Sequence, residues 1–317
     1  MYKPMDNDSM LVSCIIPTHN RAQLLSRAVE SVLNQTYRNI ELLIIDNASS
    51  DETKSLALSY VSKDNRVRYL YYSKSANAAA TRNFGFAHIT GKYVAFLDDD
   101  DEWLPIKIEQ QLKYADLYSV IGCRYYNFHS SFRRLSLVKQ KTQDFLNKNL
   151  PDIRELTVSD LLRDNSGLSP TTILMRSEYF GQLHGFDEDL VGPEGRDLFL
   201  RLTSNFGKAA VLNERLAIRH AEHNLGSITT KPALIEGAWK EFYKNQHLMN
   251  AEQQRYRLIQ IYFFEVLFSS NSPSHKRGSL FSAFTQLRIR ELKNQVYLFA
   301  IFFLFHGSKL FKRGFLR

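Results

Sequence analysis

Mainly apolar stretches alternate with helical patterns along the first third of this chain. Apolar stretches typical of buried strands occupy residues 11–17, 40–45, 67–72 and 93–97. Between the first two, residues 22–34 place apolar side chains at the spacing of an amphipathic helix. Strands that alternate with helices in this way predict an α/β protein with a mostly parallel central sheet.

Helical patterns also fill the later connections. They cover residues 53–61 and 78–88 between strands, and residues 105–117 after the fourth strand. Beyond residue 226 the pattern is mainly helical. We therefore expect a helical extension that follows the sheet-containing part of the chain.

The composition limits the class of protein. Hydrophobic residues make up 44% of the 317 residues and charged residues 23%, which excludes disordered, collagen-like and disulfide-stapled chains. The two cysteines lie in apolar stretches, where free cysteine behaves as a small hydrophobic residue. The first ten residues contain no apolar run of the kind found in secretory signals. These features predict a cytoplasmic protein.

The positive charge is concentrated at the C-terminal end. Residues 271–317 contain nine Lys and Arg but one acid, Glu291, so they account for the net charge of +8. The longest apolar run, 296–305, is about half the ~20 residues that a spanning helix needs. This basic, aromatic-rich end suits the anionic inner face of the cell membrane, or a helix packed on the body with its charges in water. It carries no nucleic-acid-binding motif, so no nucleic-acid partner is expected.

Polar clusters follow the predicted strands. They are residues 18–21, 46–47, 82–83 and 98–101. In an open parallel sheet, ligands bind outside the carboxyl ends of the strands. Four consecutive aspartates at 98–101 would repel each other if desolvated, so they predict a bound Mg²⁺ or Mn²⁺ shared with substrate phosphates. A solvated loop or a helix cap is the alternative.

Five motifs in this order resemble those of the family 2 glycosyltransferases, which have the GT-A fold. They are Ile-Ile-Pro-Thr-His-Asn-Arg at 15–21, Leu-Asn-Gln-Thr-Tyr at 33–37, Ile-Ile-Asp-Asn-Ala-Ser-Ser-Asp at 44–51, Thr-Arg-Asn-Phe-Gly at 81–85 and Gly-Lys-Tyr-Val-Ala-Phe-Leu-Asp-Asp-Asp-Asp-Glu-Trp at 91–103. The resemblance implies a GT-A domain over residues 1–226, with a nucleotide-binding half at about 10–117 and an acceptor half at about 118–226. Residues 227–317 would form the helical extension.

The resemblance also implies which residues bind the nucleotide sugar. His19 would stack on the base, unless it only caps a turn. Asp46 and Asn47 would recognise the base and ribose, and an amide at position 47 leaves uridine and deoxythymidine both open. Arg82 would pair with the diphosphate, unless it is a surface arginine. The full expected set is Pro17, Thr18, His19, Arg21, Asp46, Asn47, Arg82, Asp98 and Asp99.

The metal ligands follow from the same resemblance. Asp98 and Asp100 match the two ends of the family's Asp-x-Asp motif, and the second of these would contact the cation. His220 or His223 would complete the metal shell or contact the diphosphate. A structural role for either histidine is the alternative.

The general base is expected where a Glu-Asp pair opens a helix in the family. Here Glu194 matches the glutamate, but Gly195 occupies the position of the aspartate. Inverting transfer needs a base that deprotonates the acceptor hydroxyl, so Glu194 is the expected base and Asp197 the alternative. A third reading is that Glu194 only caps the helix and the base has been lost.

Together these features predict a metal-dependent, inverting glycosyltransferase. Its donor would be a UDP- or dTDP-sugar, and its acceptor a hydroxyl of a glycan or lipid-linked molecule in polysaccharide biosynthesis. The alternative is a non-catalytic nucleotide- or glycan-binding protein of the same fold. Gly195 supports this alternative, because it stands where the family has its aspartate. A nucleotidyltransferase ranks last, because residues 18–21 lack the glycines of a triphosphate loop.

Overall fold

Four parallel strands form one half of a nine-stranded sheet. Strand β1 (Val12–Thr18) lies between β2 (Ile40–Asp46) and β4 (Tyr93–Phe96), and β2 pairs with β3 (Val67–Tyr71). The first two strands are almost completely buried, because helices cover both faces of a parallel sheet. The parallel sheet predicted from the alternating pattern is thus confirmed for these strands.

The computed structural model describes residues 10–128, 152–163, 167–220 and 231–268. The chain divides into two compact units, Met1–Asn245 and Gln246–Arg317. Among the described residues, no helix is long and apolar enough to cross a membrane. His223 and the basic end at 271–317 lie outside the described residues.

Three helices connect the parallel strands, as the sequence predicts. They are α1 (Ala22–Leu33), α2 (Thr53–Val61) and α3 (Ala78–Phe86). The fourth helix, α4 (Lys107–Leu112), is shorter than the predicted 105–117. Residues beyond Leu112 continue in turns whose hydrogen bonds span three residues, such as Leu117 N–H to Tyr114 O. Apolar spacing alone does not distinguish such turns from an α-helix.

The other half of the sheet contains mostly antiparallel strands. After β4, the order continues with β8 (Leu174–Arg176), β6 (Ile121–Phe128), β9 (Ala209–His220) and β5 (Glu102–Trp103). Strand β7 (Ile153–Leu156) pairs with β9 outside this path. Among the strand pairs of this half that the structure describes, β6 and β9 alone are parallel, with a register shift after Cys123.

The remaining helices pack around this second half or follow it. They are α5 (Val158–Leu162), α6 (Ser177–Gln182), α7 (Glu194–Phe206) and α8 (Lys231–Asn245), together with the 3-10 helix Pro170–Thr172. The second unit contains the 3-10 helix Gln246–Leu248 and α9 (Ala251–Phe268). Helices after residue 226 agree with the sequence pattern for the part of this region that is described.

One lysine is completely buried in the core of the first unit. Lys107 Nζ donates to Gln111 Oε1 at 2.7 Å and lies 4.0 Å from the centroid of the Trp103 ring. Gln111 Nε2 in turn donates to the carbonyl oxygens of Ile121 and Thr172. Burial lowers the pKa of Lys107 to about 8, because charging an amine away from water is unfavourable.

This buried amine predicts a specific dependence of stability on pH. Between the native pKa of about 8 and the ordinary value of 10.5, the unfolded chain binds more protons than the native chain. The free energy of unfolding therefore rises with pH across this window. Relative to Lys107→Met, the wild type should gain roughly 2.5 kcal/mol between pH 7 and pH 10, measured by urea unfolding. A difference between the two proteins that stays constant with pH would contradict this assignment.

Candidate active site

Arginines pair with the four-aspartate loop that follows β4. Arg21 Nη1 donates to Asp99 Oδ1 and to Asp100 Oδ2, both at 2.9 Å. Arg82 Nη2, from α3, donates to Asp98 Oδ1 at 2.6 Å. The loop lies at the carboxyl end of the parallel strands, where α/β sheets bind ligands.

The aspartates of this loop differ in their pKa values. Burial raises the pKa of Asp98, but the charge and hydrogen bond of Arg82, together with the charge of Arg219 and the Thr171 hydrogen bond, hold this pKa below the ordinary value. Burial raises the pKa of Asp99 to about 6 despite the opposing charge of Arg21. Burial, together with the charges of Asp98 and Asp100, raises the pKa of Asp101 to about 7. The Asp101 carboxylate accepts hydrogen bonds from the Thr171 hydroxyl and from the backbone amide of His220.

Two of the four carboxylates are partly exposed at the surface of the loop. The side chains of Asp98 and Asp100 are 36% and 24% exposed, whereas Asp99 and Asp101 are buried. Within the described ranges, no group of three or more His, Cys, Asp or Glu side chains could hold a metal ion. Nucleotide-dependent Mg²⁺ sites use one or two carboxylates and complete the shell with phosphates and water. The two exposed carboxylates fit a site of that kind.

Arg82 connects this loop to the beginning of α7. Its guanidinium is buried, and Nη1 donates to Glu194 Oε1 at 3.2 Å. The guanidinium also lies 5.4 Å from the centroid of the Phe186 ring. The predicted diphosphate-binding arginine therefore contacts both Asp98 and the predicted base in this structure.

The other oxygen of Glu194 has a different environment. Glu194 Oε2 is buried, and among the described residues no donor lies within hydrogen-bond distance of it. Glu194 is the first residue of α7, and the hydrogen bond that its carboxylate accepts comes from Arg82 and not from the helix backbone. A carboxylate that only capped this helix would accept from its first N–H groups. The capping alternative for Glu194 therefore lacks the contacts it requires.

Asp197, the alternative base, is enclosed by two cations. It is completely buried, its Oδ2 accepts from Arg201 Nε at 2.7 Å, and its Oδ1 lies 2.8 Å from Lys244 Nζ. Both oxygens of Asp197 thus lie in ion pairs with the protein's own cations, whereas only one oxygen of Glu194 does. This difference favours Glu194 over Asp197.

The segment before α7 is fixed by α3. Asn83 Oδ1 accepts from the Phe186 amide, and Asn83 Nδ2 donates to the Phe186 carbonyl and to Glu188 Oε1, each at 2.9 Å. Gly185 has a φ of 74°, and a Cβ there would lie 2.4 Å from Asn83 Oδ1. The close approach therefore requires glycine, and it sets where the chain enters α7.

The two residues expected to recognise the base are engaged within the protein. Asp46 Oδ1 accepts from the Ser49 amide at 2.9 Å, and its Oδ2 accepts from the Tyr69 hydroxyl at 2.8 Å. Asn47 Nδ2 donates to the Ala76 carbonyl at 2.6 Å, and Asn47 Oδ1 accepts from the Ala76 amide at 2.9 Å. Both side chains thus shape the pocket loops, and base recognition by the Asn47 amide would require these bonds to break.

His19 directly follows β1, whose last two residues are Pro17 and Thr18. Its Nδ1 lies 2.6 Å from the Asn47 carbonyl oxygen, and its Nε2 lies 3.1 Å from Asn20 Nδ2. Both ring nitrogens therefore have partners, which supports the turn-capping alternative. The faces of the ring are not used by these hydrogen bonds, so stacking on a base stays a prediction.

The two last residues of β9 face different partners. His220 Nε2 lies 2.5 Å from Glu102 Oε1, so its ring contacts a carboxylate outside the Asp98 and Asp100 pair. The metal-binding role expected for His220 has no support in this arrangement. Arg219, which the sequence analysis did not single out, stacks 5.1 Å from the Tyr125 ring centroid. Its positive charge lowers the pKa of Asp98. The feature of the sequence that could have indicated Arg219 is its positive charge near the end of β9.

The comparisons with known proteins agree with this geometry. The profile of the family Glycosyl transferase family 2 matches residues 13–183. The putative colanic acid biosynthesis glycosyl transferase WcaA of Escherichia coli is 26% identical over 252 residues, which cover 80% of this chain and 87% of that protein. Two other glycosyltransferases align with this chain over only 20% and 60% of their own lengths.

Two solved structures resemble the fold. Staphylococcus aureus TarS 1-349 in complex with UDP-GlcNAc has a TM-score of 0.54 and 17% identity, over 87% of this chain and 72% of that one. The mannosyltransferase PcManGT of Pyrobaculum calidifontis, in complex with GDP-Man and Mn²⁺, has a TM-score of 0.56 and 17% identity, over 91% and 85%. The likeness confirms the GT-A fold. With the family profile covering the parallel strands and the aspartate loop, the chain belongs to glycosyl transferase family 2.

Proposed function

We propose that this protein is a metal-dependent, inverting glycosyltransferase that uses a nucleoside-diphosphate sugar. The observation that carries the proposal is the Arg82 guanidinium, which contacts Asp98 of the donor loop and Glu194 of α7. A donor-binding carboxylate and a base carboxylate are thereby held beside each other at the ligand-binding edge of the sheet. The alternative of a binding protein without a base has less support, because Glu194 is neither a helix cap nor exposed.

The donor would bind at the carboxyl ends of the parallel strands. Asp98 and Asp100 would hold Mg²⁺ or Mn²⁺, which neutralises charge on the departing nucleoside diphosphate. Arg21 and Arg82 would face the diphosphate oxygens from either side of the loop, since each already pairs with a carboxylate there. TarS and PcManGT are titled as complexes with UDP-GlcNAc and GDP-Man. This supports a nucleotide-sugar donor, and we propose a UDP- or dTDP-sugar.

Glu194 would act as the general base. Arg82 engages Oε1 and fixes the carboxylate, which leaves Oε2 to accept the proton of the acceptor hydroxyl. The hydroxyl oxygen then forms a bond to the anomeric carbon, while the bond from that carbon to the diphosphate oxygen breaks with its electron pair. Attack from the face opposite the diphosphate inverts the configuration.

Gly195 is the position where the family carries the aspartate. A Cβ at Gly195 would lie 3.2 Å from Pro170 Cδ and 3.3 Å from Pro170 Cγ. A side chain would therefore require the 3-10 helix to move by a few tenths of an ångström. The neighbourhood of Gly195 is adapted to glycine, which is why we assign the base to Glu194 itself.

The acceptor proposal rests on a relative and on the C-terminal charge. WcaA is named for colanic acid biosynthesis, which supports a glycan or lipid-linked acceptor. The basic end at 271–317 would hold the protein on the inner face of the membrane, near such an acceptor.

The base assignment predicts a selective loss of turnover. Glu194→Gln keeps the shape of the side chain but removes the proton acceptor, so turnover should fall by at least ~100-fold while donor affinity stays within about twofold. Donor affinity is measured by calorimetry and turnover by release of nucleoside diphosphate. The assignment fails if Glu194→Gln keeps wild-type turnover.

The membrane proposal predicts salt-sensitive binding to anionic vesicles. Phosphatidylcholine vesicles that contain phosphatidylglycerol should bind the protein in a sedimentation assay, and removal of residues 295–317 should abolish this binding. Pure phosphatidylcholine vesicles are the control. Binding that persists after the deletion and in high salt would favour a helix packed on the body.

A further inference from the structure

Helix α8 is in backbone contact with the segment that carries Glu194. A Cβ at Gly237 of α8 would lie 2.1 Å from the Val191 carbonyl oxygen. Gly192 has a φ of 102°, and a Cβ there would lie 2.5 Å from Leu234 Cδ2. Both glycines therefore permit an approach that no other residue allows. The contact places α8 directly against the three residues that precede Glu194.

Ion pairs reinforce this contact on both sides of Glu194, through Lys244, whose side chain is 38% exposed, and through Glu241, which is buried. Lys244 Nζ of α8 lies 2.6 Å from Asp187 Oδ2 before the helix, and 2.8 Å from Asp197 Oδ1 one turn into it. Glu241 Oε1, also in α8, lies 3.2 Å from Arg196 Nε. The carboxylates of Asp197 and Glu241 are completely buried. Removing a partner from a buried charge is strongly destabilising, so these pairs constrain the segment tightly.

Asp187 and Asp197 keep Lys244 positively charged. Burial lowers the pKa of Lys244, but its contacts with Asp187 and Asp197 and the charges of these two carboxylates together raise the pKa above the ordinary value. The amine therefore stays protonated and keeps both carboxylates paired.

The segment 187–197 is thus held from two sides. On one side, α3 contributes Asn83, which bonds the segment at Phe186 and Glu188, and Arg82, which binds Glu194 itself. On the other side, α8 contributes Gly237 and its ion pairs. A helix terminus without such contacts frays, because its first backbone groups lack partners in the helix.

We propose that Lys244 and Glu241 are positioning residues that fix the first turn of α7 and thereby the Glu194 carboxylate. This inference rests on the proposed role of Glu194 as base. It makes α8 part of the active-site architecture, although α8 follows residue 226 and lies beyond the family match at 13–183. Displacement of a reacting group by about 1 Å can lower a rate ~100-fold, so the effect should reach turnover.

The experiment compares Lys244→Met with two matched variants. Lys244→Arg keeps the positive charge and should restore the pairing. Lys240→Met is the control on the same helix, because Lys240 Nζ forms a surface pair with Glu236 at 2.9 Å, with side chains 49% and 68% exposed. An exposed pair of this kind contributes little to stability.

Two readouts separate positioning from general stability. Hydrogen exchange followed by mass spectrometry reports the opening of residues 187–199, with residues 40–46 of β2 as the internal control. Turnover is the release of nucleoside diphosphate to water from the nucleotide sugar that binds the wild type most tightly in a panel of UDP-, dTDP- and GDP-sugars. Calorimetry gives the dissociation constant of that donor.

The expected results differ between the variants. Lys244→Met should speed exchange at 187–199 at least tenfold and lower kcat at least tenfold, while exchange at 40–46, KM and donor affinity stay within twofold. Lys244→Arg should recover most of both losses, and Lys240→Met should equal the wild type. If Lys244→Met does not fold, Glu241→Gln, which retains a hydrogen-bond acceptor for Arg196, should show the same pattern in weaker form.

Three results would overturn the proposal: unchanged exchange at 187–199, faster exchange with unchanged kcat, or a loss of donor affinity that parallels the loss of kcat. Glu194→Gln is measured beside these variants. Wild-type turnover in Glu194→Gln would refute the base assignment, whereas the exchange result still decides whether α8 fixes the segment.

Discussion

The paired contacts of Arg82 determine how the site is assembled. A buried guanidinium is tolerated only where carboxylates neutralise it, and here Asp98 and Glu194 do so from two parts of the chain that are far apart in sequence. Arg82 reaches this position because α3 lies close against the sheet. A Cβ at Gly85 would lie 2.9 Å from Ile15 Cγ2 and from Ile45 Cγ1. The close packing of one helix thus brings the aspartate loop and the start of α7 together.

In the region where the proposed donor would place its phosphates and cation, the arginines and aspartates of the protein pair with each other. Arg21 and Arg82 each pair with a carboxylate of the loop, and Arg219 adds a further positive charge at the end of β9. A nucleoside diphosphate with a divalent cation would bring charges of both signs to this loop. If the proposed donor binds here, the charged groups that it needs are already in place, which would lower the cost of reorganising charge on binding.

The sequence predicts the parts of the structure that depend on local pattern. The strands β1 to β4, the helices α1 to α3 and the position of the four aspartates follow from apolar periodicity and from strand ends. It does not predict which polar side chains the fold engages. The bonds between Asn47 and Ala76 depend on the shape of the loop after β3, and the pairing of His220 with Glu102 depends on the register of β9. The contacts of α8 with the Glu194 segment likewise exist only in the folded chain.

Calorimetry can decide whether Asp98 and Asp100 form a cation-dependent donor site. Nucleoside diphosphates and nucleotide sugars with uridine, deoxythymidine and guanosine bases are titrated with and without Mn²⁺ into the wild type, Asp100→Asn and the surface variant Asp152→Asn. We expect one nucleotide class to bind the wild type and Asp152→Asn only with Mn²⁺, and Asp100→Asn to lose this binding. Equal binding to all three proteins, or binding that Mn²⁺ does not change, would contradict it.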